Sequence, residues 1–280
     1  MNICNAINYA ASELKNNRIN SAQLDSEILM SKVLKKDRKY LIVNSKNELN
    51  DEQYLNFRKL ISNRLKGKPV AYLTGSKSFW KYDFDLNSNV LIPRPDTELI
   101  IEQVLEIYKN KKRINFLEVG TGSGCIILSV LKEKKSFFGT GVDIRKECLQ
   151  ITKINAQKLK VNNRLKLIKS DVDNLILGKY DLIISNPPYI KFFKLNNLNR
   201  EIKDFEPHVA LNGGIDGLSE IRKTVKKSSE LIKCRGKLIL EIAHDQKNEV
   251  KKILKQNGFY INKIVKDLAK NDRCVVGTKI

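Results

Sequence analysis

The sequence predicts an α/β protein: a doubly wound, mostly parallel sheet of seven strands, preceded by a small all-α domain and joined to it by a β-hairpin. Three observations carry this prediction. From Pro93 onward, short apolar runs alternate with helical stretches, the pattern of repeated βα units whose helices cover both faces of a sheet. The first seventy or so residues are rich in helix formers and hold no clear strand. Between the two lies one stretch of strict apolar–polar alternation, the period of a strand pair. The boundaries fall at 1–75 for the helical domain, 76–92 for the hairpin linker and 93–280 for the sheet domain. A chain of 280 residues has room for both and for a substantial core.

In chain order, Ile3, Ala6, Ile7, Ala10 and Leu14 follow helical spacing. The run SAQLDSEILMSKVLKK opens on Ser21 as an N-cap and puts Leu24, Ile28 and Leu29 on one face. DEQYLNFRKLISNRLKG does the same with Leu55, Leu60, Ile61 and Leu65, and Gly67 is a natural stop. The hairpin alternates Phe79, Tyr82, Phe84 and Leu86, then Val90 and Ile92, with Asn87-Ser88-Asn89 between. Strands are predicted at INFLEV from Ile114, FFGTGVDI from Phe137, RLKLIKS from Arg164, YDLIISN from Tyr180 and GKLILEIA from Gly236. Helices from Cys125 to Leu131, Glu147 to Leu159 and Leu218 to Ile232 fall between them. GFYINKIV and DRCVVGTK lie too close for a crossover helix and read as an antiparallel pair.

Composition narrows the functional classes. Lys and Arg number 52 against 31 Asp and Glu, a net charge of +21. Such a charge invites a nucleic-acid reading. Here the excess is mostly lysine, spread along the chain with abundant Asn and Ile, the mixture that codon bias in an AT-rich genome produces, so direct nucleic-acid binding is the weaker reading. The five cysteines are odd in number, widely spaced and form no CxxC pair, which argues against a disulfide framework or zinc site and for a reducing cytoplasm. With two histidines, a histidine-built metal site is disfavoured, and no metal is expected. No apolar stretch approaches a membrane span, and the N-terminus does not read as a signal peptide.

Two motifs carry chemistry. FLEVGTGSGCIIL puts Glu118, Gly120, Gly122 and Gly124 at a strand-to-helix turn, where glycine lets a ligand approach the backbone and the helix start offers N–H groups to an anion. Asp143 ends the next strand, where an acid accepts hydrogen bonds from both ribose hydroxyls. Together they favour an adenosine-containing ligand, and the missing Walker lysine argues against triphosphate hydrolysis. In S-adenosylmethionine a carboxylate, rather than a pyrophosphate, would face the glycine loop. The second motif is Ser185-Asn186-Pro187-Pro188-Tyr189 after the fourth strand. Two prolines at a strand end fix the backbone and hold the Asn186 side chain and Pro187 carbonyl rigidly at the ligand-binding edge. A planar amide or aromatic amino nitrogen attacks a sulfonium methyl poorly, because its lone pair is delocalised. Two fixed acceptors, the Asn186 oxygen and the Pro187 carbonyl, would grip both N–H bonds and stabilise the growing positive charge. Tyr189 would supply a flat face for the planar group.

These residues resemble Rossmann-like class I methyltransferases with an NPPY signature, and more narrowly the release-factor glutamine methyltransferases of the PrmC/HemK family. The resemblance extends to PVAYLTGSKSFWKYDFDLNSNVLIPRPDTE (Pro69 to Glu98), FEPHVALNGGIDGL (Phe205 to Leu218), LEIAHDQ (Leu240 to Gln246) and DLAKNDRCVVG (Asp267 to Gly277). It implies methyl transfer from S-adenosylmethionine, giving S-adenosylhomocysteine, to the glutamine of the Gly-Gly-Gln loop in class 1 peptide chain release factors; the chain itself reads as a two-domain cytoplasmic monomer. The resemblance also implies that the helical domain docks the release factor. Gly120, Thr121, Gly122, Ser123 and Gly124 would hold the methionine part, Asp143 the ribose, and Asp171 with Val172 the adenine. Asn186, Pro187, Pro188 and Tyr189 would hold the glutamine. Val172 departs from the family, where that position is often aromatic; Ala243 and Lys270 replace commonly found glycines. The competing substrates are a ribosomal-protein glutamine and the amino group of adenine in nucleic acid, although no recognition helix rich in Arg is evident.

For other residues two readings compete. Glu118 orients the cofactor's amino group, in preference to only ordering the glycine loop. Arg94 and Asp96 either line the cofactor entrance or start the helix carrying Leu99, Ile100 and Val104. Glu206 either braces the NPPY loop or is a solvated turn residue. His244 reads as structural, Trp80 as packing between domains, and the cysteines as buried apolar residues.

Overall fold

The computed structural model describes residues 1–176 and 178–280. The chain forms two compact units, Met1–Ser76 with Asn199–Phe205, and Lys77–Leu198 with Glu206–Ile280.

The first unit is helical: α1 (Ile3–Asn16), α2 (Ala22–Leu34), α3 (Arg38–Val43), α4 (Asp51–Leu65) and α5 (Val70–Thr74). Asn2 caps α1 by accepting the Asn5 N–H at 2.8 Å, and the buried face is Ile3, Ala6, Ile7, Ala10 and Leu14, as the spacing predicts. A capping box starts α4, with Asn50 and Gln53 each accepting the other's backbone N–H. Two predicted faces differ. Ser21 stands at the start of α2 without a side-chain cap bond, and Leu24 is 44 % exposed while Asp25 is buried. The cause is an ion pair. Arg64, 3 % exposed on α4, donates from Nε to Asp25 Oδ2 at 2.7 Å and from Nη2 to Glu201 Oε1 at 2.6 Å. A buried guanidinium needs both partners, so α2 turns Asp25 inward. On α4 the buried residues are Phe57, Ile61 and Arg64, which leaves Leu55 on the solvent side.

The second unit opens with a hairpin, β1 (Ser76–Phe79) and β2 (Tyr82–Asp85). Its turn is Trp80-Lys81, not Asn87-Ser88-Asn89 as the polarity of that triplet predicts. Trp80 takes φ +56°, and two carboxylates hold it there: Glu98 accepts its backbone N–H at 2.7 Å and Glu133 its indole N–H at 2.9 Å. Trp80 packs on the core of this unit, as do Phe79 and Phe84, fully buried and edge to face at 6.1 Å. Burying two phenylalanines stabilises the hairpin on that core by roughly 3–6 kcal/mol.

The chain continues through α6 (Glu98–Ile107), β3 (Asn115–Val119), α7 (Cys125–Glu133), β4 (Phe138–Asp143), α8 (Lys146–Lys158), β5 (Leu165–Lys169), β6 (Tyr180–Ser185), α9 (Arg200–Phe205), α10 (Ser219–Leu231), β7 (Ile232–Glu241), α11 (Lys247–Gln256), β8 (Phe259–Lys266) and β9 (Asp272–Lys279). The sheet has seven strands in the order β5-β4-β3-β6-β7-β9-β8, parallel except for β9, which is antiparallel to both neighbours. Alternate strand residues serve opposite faces. Phe116, Leu182, Ile184 and Ile239 pack with Ile100 and Ile101 of α6 and Ile127 of α7. Leu117, Ile183, Leu238 and Leu240 pack with Ile221 and Val225 of α10 and Val250 of α11. This two-sided burial explains the near-continuous apolar runs. Strand order reverses between β3 and β6, and a doubly wound sheet opens a crevice there at the carboxyl ends. Both motif loops leave from that point: Val119 pairs with Ser185, and the Ser185 hydroxyl donates to the Val119 carbonyl at 2.8 Å.

Candidate active site

A cavity of about 390 Å³ lies over this reversal. Of the predicted site residues, Gly120, Gly122, Asp143, Asp171, Val172, Asn186, Pro187 and Pro188 line it. Glu118, Thr121, Ser123, Gly124 and Tyr189 do not.

The glycine loop divides by what a side chain would meet. At Gly120 (φ +78°) and Gly122 (φ +58°) an added Cβ finds nothing within 4 Å, so the missing side chains leave open room for a ligand. At Gly124 (φ +81°) an added Cβ meets Thr152 Cγ2 at 2.8 Å and Leu128 Cδ1 at 2.9 Å, so that glycine serves close packing. The loop is held from α8. The Thr152 hydroxyl donates to the Gly122 carbonyl at 3.0 Å, and the Asn155 amide to the Ser123 carbonyl at 2.9 Å. Both are fully buried polar residues that sequence reasoning did not single out.

Asp143 is half-buried at the end of β4. Its Oδ2 accepts the Gly122 N–H at 2.9 Å and its Oδ1 the Arg145 N–H at 3.0 Å. Each carboxylate oxygen keeps further acceptor capacity for a hydroxyl pair. Asp171 heads a short 3₁₀ turn beside it, with Val172 in the cavity wall. Glu118 lies beneath the loop, 1 % exposed, and accepts the Ile127 N–H of α7 at 3.2 Å. Burial pushes its carboxyl well above the ordinary carboxylate range, and the neighbouring Asp143 adds to this. Its hydrogen bond to the start of α7 orders the glycine loop and helix start, and its side chain does not line the cavity.

On the other side of the reversal, Asn186 is half-buried and donates from Nδ2 to Thr97 Oγ1 at 3.2 Å. Thr97 in turn donates to Glu241 Oε2 at 2.6 Å, and the Tyr189 hydroxyl donates to Glu241 Oε1 at 3.1 Å. The Tyr189 ring is therefore held toward Glu241 and offers no wall to the cavity. Gln246 braces the loop further, donating to the Tyr189 carbonyl at 3.1 Å and to the Gly217 carbonyl at 2.9 Å. Thr97, Glu241 and Gln246 were missed as individual residues. The one available signal was an ionisable Glu241 inside the apolar run LILEI, where burial demands polar partners.

The remaining predicted residues have other places. Pro95–Thr97 is a 3₁₀ turn with Pro95 at its first position and Asp96 in its first turn, so these residues start α6, and neither Arg94 nor Asp96 lines the cavity. Glu206 is 4 % exposed; it pairs with Arg94 and accepts the Ile92 N–H at 3.3 Å, which ties it to the segment before α6. His244 is exposed on a turn. Of the cysteines, Cys148 and Cys274 are buried, Cys125 is partly buried, and Cys4 and Cys234 are exposed, contrary to the reading of all five as buried. Cys148 lines the cavity, and burial beside Asp143 pushes its thiol up to about 12, so it stays protonated and a poor nucleophile. Among the described residues, no group of three or more His, Cys, Asp and Glu side chains is placed to hold a metal ion, and no helix is long and apolar enough to cross a membrane.

An acid and an open glycine loop face an Asn-Pro-Pro corner across the reversal of a seven-stranded sheet, and this arrangement defines a class I methyltransferase, an S-adenosylmethionine-dependent enzyme. The room over Gly120 and Gly122 and the spare acceptors of Asp143 fit that cosubstrate. A methyltransferase structure from Pyrococcus furiosus shares the fold, with a TM-score of 0.53 at 19% identity, covering 78% of this chain and 96% of that one. Residues 5–75 match the PrmC N-terminal domain and residues 95–202 the methyltransferase small domain. The release factor glutamine methyltransferase of Clostridium acetobutylicum is 37% identical over 282 residues, covering 100% of this chain and 99% of its own. The bifunctional methyltransferase of Rickettsia conorii is 33% identical, covering 97% of this chain and 56% of its own. The chain belongs to the release factor glutamine methyltransferase family.

Proposed function

We propose that this chain methylates the side-chain amide nitrogen of the glutamine in the Gly-Gly-Gln motif of class 1 peptide chain release factors, leaving S-adenosylhomocysteine. The observation that carries this reading is that Asn186 and Pro187 line one cavity with the glycine loop, Asp143 and Asp171. The family's members from Clostridium acetobutylicum and Caulobacter vibrioides, named release factor glutamine methyltransferases, support release factors as the substrate.

S-adenosylmethionine supplies an electrophilic methyl on sulfur. Gly120 and Gly122 accommodate its methionine part, Asp143 accepts from the ribose hydroxyls, and Asp171 with Val172 borders the adenine. Asn186 and Pro187 do the work on the acceptor. Their two oxygens take the two N–H bonds of the glutamine amide, which aims the nitrogen lone pair and stabilises positive charge as it develops. The Cys148 thiol, pushed up by burial, stays protonated; the N–CH3 bond forms as the S–CH3 bond breaks, S-adenosylhomocysteine leaves, and the surplus N–H proton passes to solvent. The helical unit docks the release factor, and the enzyme works as a monomer.

The test is incubation with methyl-labelled S-adenosylmethionine and, in parallel, a purified class 1 release factor, ribosomal proteins and DNA. Label on the Gly-Gly-Gln glutamine alone is the expected outcome. Label on DNA or on a ribosomal protein, with none on the release factor, would overturn the reading.

A further inference from the structure

The Asn186 amide can act only in one of its two flips. With oxygen toward the substrate it accepts an N–H; with nitrogen toward the substrate, two donors oppose each other. Asn186 lines the cavity, whereas Thr97 and Glu241 do not, both being 2 % exposed. Glu241 is the last residue of β7, beside the β6 end from which the Asn-Pro-Pro-Tyr loop leaves, with Leu240 paired to Ser185. Thr97 reaches the same point from the turn before α6.

We infer that Thr97 and Glu241 are positioning residues which fix the flip of the Asn186 amide, an inference that rests on the proposed role of its oxygen. The direction follows from counting protons. An ionised carboxylate only accepts. Glu241 takes the Thr97 hydroxyl proton at Oε2, 2.6 Å, and the Tyr189 hydroxyl proton at Oε1, 3.1 Å. Thr97 has a single proton, and it is committed to Glu241. Its oxygen therefore meets Asn186 only as an acceptor, so the amide must turn Nδ2 toward it, at 3.2 Å. Oδ1, the other end of the planar amide, is left for the substrate. The same carboxylate anchors Tyr189, so one buried charge sets two residues of the motif. Burial beside Glu241 pushes the Tyr189 phenol up, which keeps it a donor.

The experiment compares Thr97→Val, Thr97→Ser and Glu241→Gln with Asn186→Ala, using a class 1 release factor and labelled S-adenosylmethionine. Thr97→Val keeps the shape and removes the hydroxyl. It is expected to lower kcat by about ten- to a hundredfold, with KM and cofactor Kd changed by less than about twofold. Thr97→Ser restores kcat to within about threefold of the parent enzyme. Glu241→Gln, whose amide can donate to Thr97 and release the flip, lowers kcat as Thr97→Val does, and the double variant is no worse than either alone. Unchanged kcat in Thr97→Val or Glu241→Gln, a Thr97→Ser enzyme as impaired as Thr97→Val, or multiplicative losses in the double variant would each overturn the inference. Should Thr97→Val fail to fold, the isosteric Glu241→Gln decides alone. The reading beneath it is judged separately: if Asn186→Ala retains turnover, the role of the Asn186 oxygen is wrong, whereas its loss alongside a normal Thr97→Val removes the positioning chain alone.

Discussion

Gly122 and Gly124 are two residues apart, share a positive φ, and should fail in opposite ways when changed to alanine. At either position the left-handed backbone penalises a Cβ by about 1–2 kcal/mol. Gly122→Ala meets nothing else in the protein, since its Cβ has no neighbour within 4 Å. Gly124→Ala also drives its Cβ to 2.8 Å from Thr152 Cγ2 and 2.9 Å from Leu128 Cδ1, and overpacking of that kind adds about 1–3 kcal/mol. Stability should therefore fall by about 1–2 kcal/mol for Gly122→Ala and by about 2–5 kcal/mol for Gly124→Ala. Cofactor affinity should order the other way. The methyl of Gly122→Ala occupies the room left for the ligand, and a clash of about 1–3 kcal/mol is roughly a 5- to 150-fold rise in Kd. Gly124→Ala, where folded, should lose less than about tenfold, because its methyl faces α8 and α7. Urea unfolding and calorimetric titration with S-adenosylhomocysteine measure the two quantities. Parental affinity in Gly122→Ala would refute the cradle, and a Gly124→Ala protein no less stable than Gly122→Ala would refute the packing assignment.

Asp143→Ala should raise the cofactor Kd by about ten- to a hundredfold, the loss of charge-assisted hydrogen bonds; unchanged binding by calorimetry removes it from the ribose site. Glu118→Gln should alter how stability depends on pH. Burial raises the Glu118 carboxyl above its ordinary 4.5, so the native state holds that proton to higher pH than the unfolded chain. Stability is lost as pH rises through this window, so the melting temperature of Glu118→Gln relative to the parent should climb with pH; a constant difference contradicts it. The Glu241 carboxyl is also raised, by burial and by Asp96, against the pull of Thr97, Tyr189 and Arg273. Turnover should accordingly rise with pH as Glu241 ionises, and Glu241→Gln should flatten that limb; an unaltered profile in the variant assigns the limb elsewhere. Finally, Arg64→Met should destabilise the helical unit by about 3–5 kcal/mol by leaving Asp25 buried and unpaired, an effect that Asp25→Asn substitution in the same variant should partly reverse in urea unfolding.

What the sequence revealed of the site were the residues whose chemistry is local. Gly120, Gly122, Asn186 and Pro187 sit where strands end in turns, and glycine and proline mark such turns by backbone geometry alone. The strands were legible because two-sided burial makes them apolar throughout. The hairpin turn was not: Trp80 adopts a left-handed φ that its type disfavours, held by Glu98 and Glu133 from distant helices. The α2 face was misread for the same reason, since the partner that draws Asp25 inward stands on another helix. Local propensity yields wherever a tertiary hydrogen bond or ion pair is strong enough.

The supporting layer of the site shows this most sharply. Thr152 and Asn155 hold the glycine loop, while Thr97, Glu241 and Gln246 hold the Asn-Pro-Pro-Tyr loop, and none of them adjoins the loop it supports in sequence. Two buried carboxyls, both raised by burial, lie behind the two halves of the crevice, and they differ in their partners. Glu118 ends its hydrogen bonding at a backbone N–H, with no cation among its named partners, so its charge is opposed by burial and it can serve the fold as a neutral group. Glu241 has two hydroxyl donors and the field of Arg273, partners that favour the ionised form. A neutral carboxyl can order a loop; only an ionised one can dictate which way a threonine, and through it an amide, must point. The division between the β3 and β7 ends of the sheet follows from that difference. On the proposed role of the Asn186 oxygen, substrate alignment then rests on the ionised form of Glu241, which its raised carboxyl reaches only as pH rises.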